Sequence, residues 1–247
     1  MQDFNGKKII FADVDDTICV STRPVEQDMA LEIGRLVASG RVFGFVSGST
    51  LEQLREQFEG RLKGDYHLLG VSGTAYAVVR DGHLEKVYQG EIPLASRKAL
   101  TVMLRDFAAR HGLVSLTNEA DQIQDRVSQM TFSALGRHAP EPLKRAFDPE
   151  GSIRKAWAAE LRGSIGNDYS VSVGGTTSID ITLAGMDKGW GIRKFLKYHG
   201  WRAEDAVFFG DSLSPGGNDF PARAVVDCVE VKDPADTLEK LRKIGAA

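Results

Sequence analysis

The segment FADVDDTI, residues 11–18, crowds Asp13, Asp15 and Asp16 together, followed by Thr17. Like charges at neighbouring positions repel and raise one another's pKa, so the group costs stability unless a cation or a shared proton offsets it. That cost points to chemistry. Two further clusters of charged or hydroxyl residues follow apolar runs: Ser47 and Ser49 after RVFGFV, and Asp211 after AVFFG. Lys188 opens the stretch KGWGIRKFLKYHG. Carboxylates, one cation and a pair of hydroxyl or amide donors form a set suited to magnesium and a phosphoryl group. Each residue also has a plain structural reading. Asp and Ser at strand ends often cap the next helix, a lysine at a helix start is usually just solvated, and Asp219 in GGNDF could cap a helix or orient a metal loop. The ordered set as a whole favours chemistry.

These residues need elements that bring them to one edge. KKIIFADV, RVFGFVSG, YHLLGVSG, AVFFGD and VVDCVEV read as nearly all-apolar strands, separated by amphipathic helices such as QDMALEIGRLVASG and TLEQLREQF. Strands of that kind belong to a parallel sheet covered on both faces, and ligands bind outside the carboxyl ends of such strands. AYAVVRDGHLEKVY places Asp81-Gly82 between two alternating runs, a hairpin signal. After the helix SRKALTVMLRDFAARHG come four alternating runs, LVSLTNE, DRVSQMTFSAL, YSVSVGG and TSIDITL, divided by a helical SIRKAWAAELRG. Alternation predicts strands with one buried and one wet face, hence a mainly antiparallel sheet. The expected fold is α/β, a Rossmann-like parallel core in two parts, residues 1–83 and 186–247, interrupted by an α+β insert at 84–185.

Composition narrows the function classes. The chain has 247 residues, 42% hydrophobic and 26% charged, an ordinary soluble globular balance. A net charge of -3 argues against nucleic acid or an anionic membrane as partner. The start MQDFNGKKIIF has no leader pattern and no apolar run reaches spanning length, which makes a cytoplasmic protein the expectation. Cys19 and Cys228 show no metal-ligand spacing and imply no disulfide framework, and the five histidines show neither metal nor triad spacing.

The order Asp-x-Asp-x-Thr, Ser, Lys, Gly-Asp resembles the haloacid dehalogenase superfamily of aspartate-nucleophile phosphotransferases, and the insert looks like the α/β cap of its sugar-phosphate branch. GDSLSPGGNDF, SVGGTTSIDI, RVSQMTFSALGR and VSGSTLEQLREQF are similar to the corresponding segments of eukaryotic-type α-phosphomannomutases, essentially end to end. The resemblance implies that Asp13 attacks phosphorus to give an aspartyl-phosphate and that Asp15 moves the proton of the sugar oxygen. It implies Mg2+ held by Asp13, the Asp15 backbone carbonyl and Asp211, with Asp219 and Thr17 in support. Lys188, Ser47 and Ser49 would bind the transferring phosphoryl group. In the cap it assigns Arg126, Arg137, Arg145, Ser178 and Asp180 to the distal phosphate and sugar hydroxyls, with Lys144 competing for the place of Arg145. A homodimer through the cap is also implied.

The chain departs from the pattern at three places. Asp16 stands where the superfamily usually has Gly, Ser212 where the family has Lys, and Val127-Ser128 where it has Asn-Gly. These bear on sugar identity and on mutase action. A hexose phosphomutase is the first expectation, a sugar-phosphate phosphatase the second, and a catalytically silent sugar-phosphate-binding protein the third. A signalling receiver domain needs its phosphorylated Asp at a later strand end, where this chain has FVSGST. A nucleotide-sugar transferase would not end its first strand with Asp-x-Asp. An EF-hand loop from Asp13 would put Ile18 at its Gly position and Pro24 at its Glu position.

Overall fold

The computed structural model describes residues 4 and 6–244. The chain divides into two compact units, Met1–Gln89 with Asp187–Ala247, and Gly90–Met186.

The first unit opens with β1 (Ile9–Ala12), α1 (Gln27–Ala38), β2 (Val42–Val46), α2 (Leu51–Phe58), β3 (Tyr66–Gly70), β4 (Ala75–Arg80) and β5 (His83–Gln89). The second unit holds α3 (Leu94–Arg110), α4 (Glu119–Gln122), β6 (Ile123–Asp125), β7 (Gln129–Ser133), α5 (Glu141–Phe147), α6 (Ser152–Ile165), β8 (Tyr169–Gly174) and β9 (Ser178–Leu183). The chain returns to the first unit with α7 (Lys188–His199), β10 (Ala206–Gly210), β11 (Asp227–Glu230) and α8 (Pro234–Arg242).

The large sheet runs β11-β10-β1-β2-β3-β4-β5, parallel as far as β3 and antiparallel beyond it. β1 and β10 are buried along their whole length, as their unbroken apolar sequences require. One face packs Ile33 and Leu36 of α1, Leu54 and Phe58 of α2 and Leu241 of α8 around Ile10, Phe43 and Phe45. The other packs Ile192 and Phe195 of α7 against Phe11, Tyr76 and Phe208. Thr50 opens α2 with a capping box: its side chain accepts from Gln53 N–H while the Gln53 side chain accepts from Thr50 N–H.

The insert begins at Gly90 rather than at 84. The Asp81-Gly82 turn has positive φ at both residues, +49° and +77°, and it folds β5 back onto β4 within the large sheet. The insert has its own four-stranded antiparallel sheet, ordered β6-β7-β9-β8. Its apolar face, with Met130, Phe132, Ile179 and Ile181, packs on Leu104 and Phe107 of α3 and Leu161 of α6.

The fourth strand is not the one read from the sequence. LVSLTNE is irregular, with Val114 and Leu116 exposed. Its polar side chains bond locally: Ser115 Oγ accepts from Thr117 N–H, and Asn118 accepts from Asp121 N–H to cap α4. Such bonds compete with a strand ladder. The short β6 takes that sheet position instead, and the stretch between β7 and α6 folds into the helix α5.

Candidate active site

β1 lies between β10 and β2, and the loops after these parallel strands carry the acidic and hydroxyl residues. Asp13 continues the ladder by donating its N–H to Phe209 O at 2.9 Å. The chain then coils tightly, with Val14 O accepting from Ile18 and Cys19 N–H at 2.8 and 3.1 Å. Asp16 occupies this coil at φ +60°, a left-handed conformation that Asp tolerates better than most residues. Its Oδ1 accepts from Ser21 N–H.

Lys188 joins the two parts of the unit. Its Nζ is 2.6 Å from Asp13 Oδ1 and 2.6 Å from Asp219 Oδ1, and the residue is 1% exposed. The helix that presents it approaches its neighbours backbone to backbone. A Cβ on Gly191 would lie 2.6 Å from Gly73 Cα, and one on Gly189 would collide with Pro221 O. Asp187 caps this helix by accepting from Trp190 N–H at 2.8 Å.

Asp13 Oδ1 also accepts from Val14 N–H at 2.7 Å, whereas Oδ2 meets no protein donor among the described residues. Asp219 is fully buried and does not cap the turn that follows it. Its Oδ1 accepts from Lys188 and its Oδ2 from Ser212 N–H at 3.1 Å, which ties the 211–219 loop to the lysine. Thr17 Oγ1 donates to Asp211 Oδ1 at 3.1 Å. Carboxylate oxygens of Asp13, Asp211 and Asp219 lie within 4.8 Å of one another, a hard-oxygen group that fits Mg2+.

Burial, followed by the charge of Asp219, pushes the Asp13 carboxyl well above the usual range, with Lys188 pulling the other way. Asp211 is raised by burial and then by Asp219. Burial pulls Lys188 down, but Asp13 and Asp219 outweigh it and hold the ammonium above its ordinary value. The Cys19 thiol is pushed up by burial and by Asp15, consistent with an inert filler.

Ser47 and Ser49 lie past the end of β2. Ser47 Oγ accepts from Ser49 N–H at 3.0 Å, and Ser47 N–H donates to Leu69 O. Asp15 stands apart from the acidic group. Its Oδ1 accepts from Thr22 N–H at 2.7 Å and from Gln57 Nε2 of α2 at 3.4 Å.

In the insert, Gln124, Thr131, Asp180 and Ser172 oppose one another in a row across the four strands. Thr131 Oγ1 donates to Asp180 Oδ1 at 2.6 Å and accepts from Gln129 Nε2 at 2.9 Å. Arg126 Nη2 donates to Gln124 Oε1 at 2.8 Å, while Ser178 opposes Ser133 further along the strands. Arg137 follows the turn after β7, where its carbonyl accepts from Lys144 Nζ. Arg145 lies on the outer side of α5, 51% exposed and paired with Glu141. Lys144 is the buried residue of the two.

Sequence reasoning passed over Thr131, Gln129 and Gln124. Their signal was alternation, which sets Gln129 and Thr131 on the same face as Ser133. It also passed over Arg154, buried and bonded to Asp148 at 2.9 Å and to the carbonyl of Gly175.

A mostly parallel sheet with acids at its strand exits and a lysine from a helix start between them, plus a separate antiparallel sheet, is the haloacid dehalogenase-like fold with a cap. A haloacid dehalogenase-like hydrolase from Bacteroides thetaiotaomicron superposes with a TM-score of 0.59 at 14% identity, over 96% of this chain and 99% of that one. An IMP-nucleotidase from Plasmodium falciparum superposes with a TM-score of 0.70 at 15% identity, over 98% of this chain and 67% of that one. Within that fold the chain belongs to the eukaryotic phosphomannomutase family, whose model matches residues 34–246. A phosphomannomutase of Encephalitozoon cuniculi is 27% identical over 258 aligned residues, covering 97% of this chain and 95% of that protein.

Proposed function

We propose that the protein transfers a phosphoryl group on hexose phosphates through an aspartyl-phosphate on Asp13, in the manner of a phosphomannomutase interconverting mannose 1-phosphate and mannose 6-phosphate. The observation that supports this most directly is Lys188, buried between Asp13 and Asp219, in a chain of the phosphomannomutase family.

Asp13 is the nucleophile in this reading. Lys188 and Val14 N–H fix its Oδ1, so the carboxylate is oriented before substrate arrives. A bond forms between an Asp13 oxygen and phosphorus as the bond to the sugar oxygen breaks. Asp15 gives its proton to that departing oxygen and then takes one from the hydroxyl that attacks the aspartyl-phosphate. Ser47, the Ser49 region and Lys188 carry the charge on the transferring group. Mg2+, held by Asp13, Asp211 and the Asp15 carbonyl and supported by Asp219, would supply positive charge that lets an anion approach an anion. Arg126, Arg137 and Asp180 would hold the sugar and its second phosphate, with Ser178 beside them.

A phosphorus NMR time course with mannose 1-phosphate, Mg2+ and a trace of glucose 1,6-bisphosphate tests this, with Asp13→Asn as control. The expected result is growth of the 6-phosphate signal without free phosphate, lost in the control. Release of free phosphate alone would make the protein a phosphatase, and turnover surviving in Asp13→Asn would overturn the nucleophile.

A further inference from the structure

The β6–β7 turn carries Arg126, and its backbone is held in a costly conformation. Val127 has φ +68°, where a β-branched side chain clashes with its own backbone. Such a conformation persists only where the surroundings over-determine it. Here a closed ring of bonds does so. Asp125 Oδ1 accepts from Val127 N–H at 2.8 Å, and Val127 O accepts from Ile92 N–H at 2.9 Å. Arg97 completes the ring: its Nε–H donates to Ile92 O at 2.9 Å and its Nη1–H to Asp125 Oδ2 at 2.7 Å. The Arg97 side chain is 14% exposed and that of Asp125 40%, so water screens this pair from the Asp125 side only.

The next residue back from Val127 is the one whose aim matters. Arg126 N–H donates to Gln129 O, and its guanidinium reaches Gln124 in the polar row that holds Thr131 and Asp180. Ser128 N–H donates to Arg126 O at 2.8 Å across Val127, so a rotation at Val127 would break that bond and free the Arg126 carbonyl.

We propose that Asp125 is a positioning residue for sugar-phosphate binding: braced by Arg97, it holds Val127 in the left-handed conformation and thereby aims the Arg126 guanidinium. This rests on the reading of Arg126 as a phosphate ligand. Asn adopts the left-handed region far more readily than Val, so Val127→Asn should keep the turn in shape without the brace.

The test is calorimetric binding of mannose 6-phosphate with Mg2+ to the full chain carrying Asp13→Asn, which blocks turnover. Asp125→Ala should weaken binding on the order of ten-fold, the shift that strain of this kind can drive. Adding Val127→Asn should restore affinity to within about two-fold, which loss of a merely structural contact would not allow. If Asp125→Ala fails to fold, Asp125→Asn keeps the Val127 acceptor, weakens the Arg97 pair and should show a smaller loss in the same direction. Unchanged affinity in Asp125→Ala, or a loss that Val127→Asn does not rescue, overturns the assignment. Wild-type mutase turnover beside that result leaves the proposed function standing, whereas a parent protein that binds no hexose phosphate removes both.

Discussion

Replacing Lys188 by Met takes away the one cationic side chain, among the described residues, that touches both Asp13 and Asp219. Nζ is 2.6 Å from an oxygen of each, and the two residues are 5% and 0% exposed, so water replaces the lost contacts poorly. Breaking a buried ion pair by removing one partner costs about 3–5 kcal/mol, because the charge left behind stays desolvated. In a chain of this size each kcal/mol moves the melting temperature by roughly 2–4 °C, so Lys188→Met should melt about 6–20 °C lower in EDTA. The same reasoning predicts non-additivity. Asp219→Asn on the Lys188→Met background removes one of the stranded charges and should return on the order of 1 kcal/mol or more, within the range of coupling between contacting residues. Circular-dichroism melts and urea midpoints on the four proteins of this cycle measure both quantities. A loss below about 1 kcal/mol for Lys188→Met, or strictly additive effects, would refute the view that the lysine neutralises this acidic group.

Gly191→Ala should destabilise the protein by roughly 2 kcal/mol or more, since the new Cβ meets backbone atoms of Ser72 and Gly73 that have little room to yield. By shifting Lys188 it should also lower aspartyl-phosphate formation, read by acyl-phosphate trapping. Burial, then the charge of His199, lowers His67 to about 4. Its neutral form hydrogen-bonds the Tyr76 hydroxyl at 2.8 Å, so its stabilisation is present above the unfolded pKa near 6.5 and is lost as pH falls through about 4. Urea midpoints between pH 7 and pH 4 should therefore fall less steeply in His67→Gln than in the wild type. Arg145→Ala should change folding stability by less than about 1 kcal/mol, because its exposed pair with Glu141 is the kind that contributes little. Lys144→Ala should change it more, as the side chain that bonds the Arg137 carbonyl is lost, and calorimetry would show the contrast.

Much of this arrangement is legible in the residues because the physics behind it is local. KKIIFADV and AVFFG are apolar on both sides because a central parallel strand has no wet face, and the acids sit where such strands exit. Asp81-Gly82 specifies its hairpin by backbone preference alone. What escaped needs partners that sequence does not display. LVSLTNE alternates, yet Val114 and Leu116 found no neighbouring strand, while three-residue β6 is too short to carry a pattern at all. Asp219 could be read as a cap or as a support for the metal loop; it makes no cap bond, and its bonds to Lys188 and Ser212 tie the 211–219 loop to the lysine. Arg97 and Asp125 lie 28 positions apart in the chain, a separation over which spacing says nothing.

The sheet order has a consequence for how the chain reaches its native state. β1 emerges early during synthesis, but one of its two flanking partners, β10, follows the whole insert. Until residues 206–210 arrive, one edge of β1 offers unpaired backbone groups of the kind that recruit other strands. The insert, by contrast, is one continuous stretch whose sheet closes with β9, so it can complete its hydrogen-bonded ladders first. Pairing β1 with β10 is the long-range, entropically slow step. The same step brings Asp211 beside Asp13, so the acidic group is assembled only when the last part of the large sheet is in place.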